Sequence, residues 1–355
     1  MADVRPFRAV RYASPSTTVT APPYDVLDEG QRSVLRARDP HNVVWLTCDP
    51  DEAEGGRRFR AWLDDGVLVR DETPAVWVLE QDVPESEGVG PTRTGIAASL
   101  RVEPYSAGIV LPHERTHAST RRRRLRLLRA ARAQLEPLFF LYAGAPPVTV
   151  PERPPDLDAG DTRLWRLEGA QGVAEAFVDT QLLIADGHHR YETALAYADE
   201  GGGDRLLAVL VSTTDSGLAI LPTHRVFSGR PDVTLDGEQF DTPEAALVAL
   251  AAEPFDRSAA VLLRRGSTQL VRGSAGELDP ELVDRFGRDG IDYTPDAAEA
   301  VERVRSGAAD CAFLLRATRI EDVFEHARQG LVMPPKSTYF FPKLLSGLLF
   351  HPLEQ

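Results

Sequence analysis

The chain has 355 residues, 43% of them hydrophobic and 26% charged, with a formal net charge of -14. That length buries one large core or two ordinary ones, and the acidic balance argues against a dedicated nucleic-acid binder, whose phosphates would be repelled over most of the surface. No apolar run is long enough to span a bilayer, MADVRPFRAVRY lacks a signal-peptide core, and Cys48 and Cys311 are too few for a disulfide framework or a four-ligand zinc site, so a cytoplasmic protein with no membrane partner is expected.

In chain order, APPYDVLD comes first, a Pro-stiffened segment that presents Tyr24 and Asp25 as functional candidates or Asp25 as a plain turn residue. VVWLTC (43–48), AVWVLEQ (75–81) and GIAASLRV (95–102) read as strands, with an amphipathic segment at 59–67 between the first two. SEGVGPTRTG (86–95) reads as the connection of a long hairpin. LPHERTH (111–117) offers His113 and Glu114 as an acid/base pair, and Glu114 equally as a metal ligand. STRRRRLRLLRAARAQLEPLFFLY predicts a helix capped by Ser119 or Thr120, ending near Pro137, with Leu125, Leu128 and Leu135 on its apolar face. Its arginines fit a solvated face that pairs with the chain's own excess carboxylates better than a nucleic-acid contact. PERPPDLDAGD (151–161) is the best linker or exposed loop.

LLIADGHHRYETALAY (182–197) carries the strongest local signal. Leu182 to Ala185 read as a buried strand, and Ala194, Leu195 and Ala198 recur at helical spacing, so the chain turns from strand to helix near Gly187. Gly187 permits the sharp turn, and His188, His189 and Arg190 then occupy the first helical turn, where unpaired N–H groups and the helix dipole favour an anion. Arg190 adds a planar fork for phosphate oxygens. Asp186 is placed to cap the helix, hold Mg²⁺ or accept a proton. The competing readings are a metal bound by Asp and His, although adjacent residues diverge around a helix, and a purely structural cluster.

ILPTHRVF (220–227) brings His224 beside Arg225. Residues 229–300 read as an inserted α+β region, followed by a helix, a strand, a helix ending at Gly330, and MPPKSTYFFPK. The domain expectation is an N-terminal α+β part at 1–150, a core at 160–228, the insert at 229–300, and a C-terminal segment at 301–355 that returns to the core. Arg supplies every cation except Lys336 and Lys343, both within MPPKSTYFFPK. Lysine offers phosphate a compact point charge, so both are candidates, with Ser337 and Thr338 beside them. Alternating strands and helices give a mixed α/β, α+β class.

APPYDVL, LPHERT with the helix after it, IADGHHRYETALAY, GLAILPTHRVF and MPPKSTYFFPKLLSGL together resemble the domain of unknown function 1015 family, in its order and over nearly the whole chain. DGHHR between strand and helix is more distantly similar to the ParB–sulfiredoxin fold, which includes kinases of free serine. That resemblance implies a ParB–sulfiredoxin-like core, with Gly187, His188, His189 and Arg190 as the phosphate cradle of a nucleotide and Asp25 or Glu114 activating an acceptor. A His stands where sulfiredoxin has its Cys, so sulfinic-acid repair is not expected. The reading is then a phosphotransferase using ATP or another nucleotide with Mg²⁺, acting on a small molecule such as serine. Catalysis falls to Glu114, Asp186 and Lys336, with Asp186 or Glu114 on the metal. Lys343 joins the phosphate site, and His224 and Arg225 complete it provided ILPTHRVF lies beside the DGHHR strand. A metal-dependent hydrolase using His113, Glu114, Asp186 and His188, and a non-catalytic nucleotide sensor, are the alternatives.

Overall fold

The computed structural model describes residues 1–84, 90–169, 171–229, 233 and 235–353. Residues 86–89 of the expected hairpin connection lie outside them. The chain forms two compact units, Met1–Ala219 with Pro342–Gln355, and Ile220–Phe341. The region expected as an insert at 229–300 falls inside the second.

The first unit runs β1 (Val4–Arg5), β2 (Val10–Tyr12), α1 (Glu29–Arg38), α2 (Val44–Thr47), α3 (Glu52–Asp64), β3 (Leu68–Arg70), β4 (Val76–Asp82), β5 (Thr92–Arg101), β6 (Val110–Leu111), α4 (Ala118–Ala131), β7 (Ala133–Gln134), β8 (Leu138–Tyr142), β9 (Leu157–Asp158), β10 (Thr162–Leu167), α5 (Gln171–Ala176), β11 (Leu182–Asp186), α6 (His188–Asp199) and β12 (Arg205–Ser212). A nine-stranded sheet has the order β6-β11-β8-β12-β5-β4-β10-β9, with β1 paired to β5. It is mixed: β11 is parallel to β6 and antiparallel to β8, while β12 is parallel to β8 and antiparallel to β5.

Alternate residues build its core. Ile96, Ala98 and Leu100, Leu138 and Phe140, Leu182 and Ile184, and Leu206, Ala208 and Leu210 share one buried cluster with Tyr191 and Ala194 of α6. This period of two fixes the register, because a slip of one residue would turn the whole set away from its helix. A second cluster packs α3 and α4 together. Gly56 allows their close approach, since a Cβ there would meet Ala130 at 2.5 Å.

Three local expectations are corrected. VVWLTC is the short helix α2, because Asn42 organises its start: Asn42 Oδ1 accepts from Val44 N–H at 3.0 Å while its Nδ2 donates to the Thr18 and Thr20 carbonyls at 2.7 and 3.0 Å. A short buried run has no periodicity to separate helix from strand. Helix α4 starts after His117, with Ser119 and Thr120 inside its first turn, and ends at Ala131, where Arg132 turns left-handed at φ 51°. Its buried face is Arg124, Leu127, Leu128 and Ala131 rather than one centred on Leu125. That face follows the i, i+3, i+4, i+7 spacing and includes an arginine, which a purely apolar stripe hides.

β13 (Ala219–Leu221) crosses into the second unit, which continues with β14 (His224–Phe227), β15 (Glu238–Phe240), α7 (Pro243–Ala252), β16 (Arg257–Arg264), β17 (Ser267–Ala275), α8 (Asp279–Asp284), β18 (Ile291–Thr294), α9 (Ala297–Ser306), β19 (Cys311–Leu314), α10 (Ile320–Arg328) and β20 (Tyr339–Phe341). Its six-stranded sheet has the order β15-β17-β16-β19-β14-β18, every pair antiparallel. Helices α7 and α9 share a core with one set of strand residues, and α8 shares another. After it, β21 (His351–Pro352) pairs antiparallel with β7, back in the first unit.

Candidate functional site

Strand β11 ends at Asp186, Gly187 takes φ 101°, and α6 begins at His188 with no side chain capping it. Glycine is required twice over here. The left-handed backbone disfavours a Cβ, and a Cβ would sit 3.2 Å from the Arg190 guanidinium. The first N–H groups of a helix have no intrahelical partners, so this turn offers donors at its mouth.

Asp186 is the hub. Its Oδ1 accepts from Lys343 Nζ at 2.6 Å and its Oδ2 from Arg190 at 2.5 Å, and all three side chains are largely buried. Burial alone would raise the Asp186 carboxyl, but the Lys343 ammonium and the Arg190 guanidinium outweigh it and hold it well below the usual carboxylate range. Arg190 also donates to the Pro137 carbonyl. Lys343 is fixed through its backbone: Gln81 Nε2 donates to the Lys343 carbonyl at 2.9 Å, and buried Arg93 donates to the Pro342 carbonyl at 2.6 Å and to Gln81 Oε1 at 2.5 Å. Arg93 lies over the Phe139 ring at 4.6 Å, so β4, β5 and β8 jointly place the lysine.

The two histidines of the turn act as acceptors. His188 Nε2 accepts from the His113 N–H at 3.3 Å, and His189 Nε2 accepts from the His117 N–H at 2.8 Å. The ring pairs 113/188 and 117/189 have centroids 4.5 and 5.8 Å apart. An imidazole that accepts at Nε2 carries its proton on Nδ1 and is neutral. Burial pushes His188 well below its ordinary pKa, with the neighbouring His113 adding to it. Burial likewise takes His113 down to about 4, against the opposing pull of the Ile184 carbonyl and Asp186. His189 is lowered too, by burial and His117, partly offset by Asp25 and Glu192. The pair therefore clamps residues 113–117 onto the turn, with a backbone N–H donating to the Nε2 of each ring.

Three further candidates gather here. Glu114 is half-buried in the clamped loop. Asp25 is exposed, and its charge acts on both His189 and Arg190. The Tyr24 N–H donates to buried Glu136 Oε1 at 3.1 Å, and Arg124 lies 3.7 Å over the Tyr24 ring. Arg124 also reaches Glu136 Oε2 at 3.2 Å and the Thr47 carbonyl at 2.8 Å. Four exposed arginines of α4 pair with carboxylates: Arg121 with Glu192, Arg123 and Arg126 with Glu52, and Arg129 with Glu200.

The remaining candidates belong to the second unit. Strand β14 lies between β18 and β19, not beside β11, whose neighbours are β6 and β8. The condition for His224 and Arg225 to join the DGHHR strand is thus not met: they sit within the antiparallel sheet of the second unit. His224 Nδ1 accepts from the Leu315 N–H at 3.1 Å, and burial, with Arg225 beside it, lowers it to about 4. Arg225 donates to the Thr223 carbonyl at 2.5 Å and to the Pro335 carbonyl at 3.4 Å, which joins the THR and PPKS motifs. Ser337 Oγ donates to the Pro334 carbonyl at 2.6 Å, its own carbonyl accepts from Thr318 at 2.7 Å, and exposed Lys336 takes φ 57° beside half-buried Thr338.

Among the described residues, no three His, Cys, Asp or Glu side chains are grouped as a metal requires. No described helix is long and apolar enough to cross a membrane. Sequence reasoning missed Gln81, Arg93, Arg124 and Glu136. The only available signal was polar residues inside otherwise apolar strand and helix faces.

A family model described as a protein of unknown function (DUF1015) matches residues 4–270. The chain belongs to that family. No curated protein matches this DUF1015 member. Among solved structures, a free serine kinase in complex with AMP is 17% identical over 69% of this chain and 86% of its own, with a TM-score of 0.41. A conserved hypothetical protein from Pyrococcus furiosus is 17% identical over 69% of this chain and 90% of its own, with a TM-score of 0.39. SbnI from Staphylococcus aureus, truncated at its C-terminus, is 11% identical over 72% of this chain and 87% of its own, with a TM-score of 0.43.

Proposed function

We propose that the first unit binds the phosphates of a nucleotide at the turn between β11 and α6 and transfers a phosphoryl group to a small metabolite. One observation carries the reading: a buried carboxylate holds Lys343 on one oxygen and Arg190 on the other, at the start of an uncapped helix. Two cations against one carboxylate leave a positive excess, and the helix N-terminus adds donors and dipole of the same sign. Holding them in place beforehand is how a protein neutralises transferring phosphate without reorganising during the reaction.

In this proposal Lys343 and Arg190 bind phosphate oxygens, and Asp186 orients both. His188 and His189 set the distance between the turn and the 113–117 loop, which carries Glu114 as base for the acceptor hydroxyl. Asp186 does not fit the part of metal ligand, because each of its oxygens already has a cation. Mg²⁺ would accompany the phosphates, with Glu114 the remaining carboxylate candidate. Lys336, Ser337, Thr338, His224 and Arg225 form a separate set, and the proposal does not depend on them.

The test is thermal unfolding of the wild type, Arg190→Ala and Lys343→Ala with ATP, ADP, CTP or GTP, each with and without Mg²⁺. A ligand at a hundredfold over its Kd adds about 2.7 kcal/mol to a native state that alone binds it. A rise in the wild type that both variants lose supports the site. A rise with Zn²⁺ or Mn²⁺ alone, and with no nucleotide, overturns it in favour of a metal-dependent hydrolase. Nucleotide binding with no transfer to any acceptor would leave a sensor.

A further inference from the structure

The second unit holds a buried cation that nothing beside it neutralises. Arg225 is 3% exposed, and among the described residues its hydrogen-bond partners are the Thr223 and Pro335 carbonyls alone. Burial pulls it down to about 10, opposed by Tyr293, Asp284 and Asp279, none of which bonds it. Both of those carboxylates are engaged elsewhere, Asp284 with Arg288 and Asp279 with Arg316. A buried charge ordinarily has a counter-charge.

The two residues that bond Arg225 through their carbonyls each adjoin an unfilled donor. Thr223 is 5% exposed, yet its Oγ1 is buried and makes no hydrogen bond. Buried hydroxyls nearly always have partners, so this one calls for an acceptor. After Pro335 comes exposed Lys336, at φ 57° in a tight turn. A left-handed residue at that place in a turn is ordinarily Gly or Asn. Ser337 locks the turn, its Oγ on the Pro334 carbonyl and its own carbonyl on Thr318 Oγ1. The backbone thus favours glycine, and every cation of this chain except Lys336 and Lys343 is arginine. A lysine ammonium is a compact point charge, suited to one oxygen of a phosphate.

We propose that Thr223, Arg225 and Lys336 form a site in the second unit for the phosphate group of a small phosphomonoester. Two cations without a carboxylate balance a dianion. A phosphomonoester carries about -1.5 to -2 near neutral pH, whereas a carboxylate carries one charge. The Lys336 ammonium and the Thr223 hydroxyl donate to phosphate oxygens, and Arg225 supplies charge from beneath, where the low dielectric strengthens it. Binding makes and breaks no covalent bond. The nucleotide reading uses none of these three residues, so each can fail without the other.

Calorimetric titration of the full chain tests it, with phenyl phosphate and benzoate as probes, a dianion and a monoanion on the same ring. Lys343→Ala is the background, because it removes a cation of the first unit's turn. In it, phenyl phosphate should bind about tenfold or more tightly than benzoate, and adding Lys336→Ala or Thr223→Val should remove about tenfold of that affinity, the scale of a charge-assisted hydrogen bond. Folding is controlled by two substitutions the local structure tolerates. Lys336→Gly suits the left-handed backbone and should raise the urea midpoint while losing the ligand. Thr223→Val deletes a hydroxyl that has no partner and should leave the midpoint no lower. Binding that survives Lys336→Ala, equal affinity for benzoate, or no binding in the Lys343→Ala background overturns the proposal. So does a fall in midpoint for Lys336→Gly, which would make the lysine structural.

Discussion

Two buried arginines, one in each unit, meet burial in opposite ways. Arg190 is 6% exposed and bonds the Asp186 carboxylate; Arg225 is 3% exposed and bonds only carbonyls, with the Tyr293 ring 5.5 Å away. Burial pulls both guanidiniums down, but Asp186, Glu136 and Asp25 reverse this at Arg190, while Arg225 falls to about 10. Both remain charged near neutral pH. A carboxylate holds Arg190 in a fixed place, whereas Arg225 is tied to the carbonyls of two turns. Only the first arrangement keeps two cations poised around one anion, which is why nucleotide binding is assigned there.

The largest expected effect comes from Asp186→Ala, which strands Lys343 and Arg190 without their counter-charge. Removing one partner of a buried pair costs about 3–5 kcal/mol. Urea denaturation reads it directly, and a loss under 1 kcal/mol would show that the cations are well solvated without Asp186. Arg225→Leu sharpens the contrast. It should cost roughly 1–3 kcal/mol, the scale of carbonyls left unpaired, and leave nucleotide binding intact; loss of nucleotide binding would move the site into the second unit.

Acid supplies the next test. His113, His224 and His351 are each lowered to about 4 by burial, and His188 is lowered as well. A histidine with a depressed folded pKa is neutral when folded and takes up its proton on unfolding. Its stability is therefore fully present above the unfolded value near 6.5 and lost as pH falls from there towards 4. Each such histidine contributes at most about 1.4 kcal/mol per pH unit in that window. His188→Asn, which keeps an acceptor and removes the titration, should flatten the slope between pH 6.5 and 4; an unchanged slope means that His188 titrates normally. The smallest effect belongs to the Arg129–Glu200 pair, about half exposed on each side, where Arg129→Ala should barely move the urea midpoint, and less still in high salt.

Apolar runs such as AVWVLEQ and GIAASLRV and the strand–Gly–helix junction were legible in the sequence, because each is a local signal carried by adjacent residues. VVWLTC was not, since its helix depends on Asn42 gripping carbonyls more than 20 residues away. The candidate site divided on the same line. Asp186, Gly187 and Arg190 could be named from one segment. That Lys343 is the lysine bonded to Asp186 depends on Gln81 and Arg93, some 250 residues away in sequence. Arg124 was discounted among identical neighbours, and only its position on the inner face of α4 sets it apart. The acceptor bonds of His188 and His189 were not legible, because their donors are backbone N–H groups, which leave no trace in composition.

The return of the chain after β20 has a consequence for synthesis. Residues 342–353 emerge from the ribosome only after the whole of 220–341, yet they supply Lys343 and the backbone pairs Val10–Phe350 and Ala21–Ser346. The segment 220–341 has its own sheet and core, so it can fold while the earlier and larger part still waits for its last strand. Asp186 and Arg190 are made long before their lysine arrives, and the nascent chain carries that carboxylate unpaired on one side throughout. A chain cut just before residue 342 would therefore keep every strand of the six-stranded sheet and leave the first unit without Lys343 and without those two pairs.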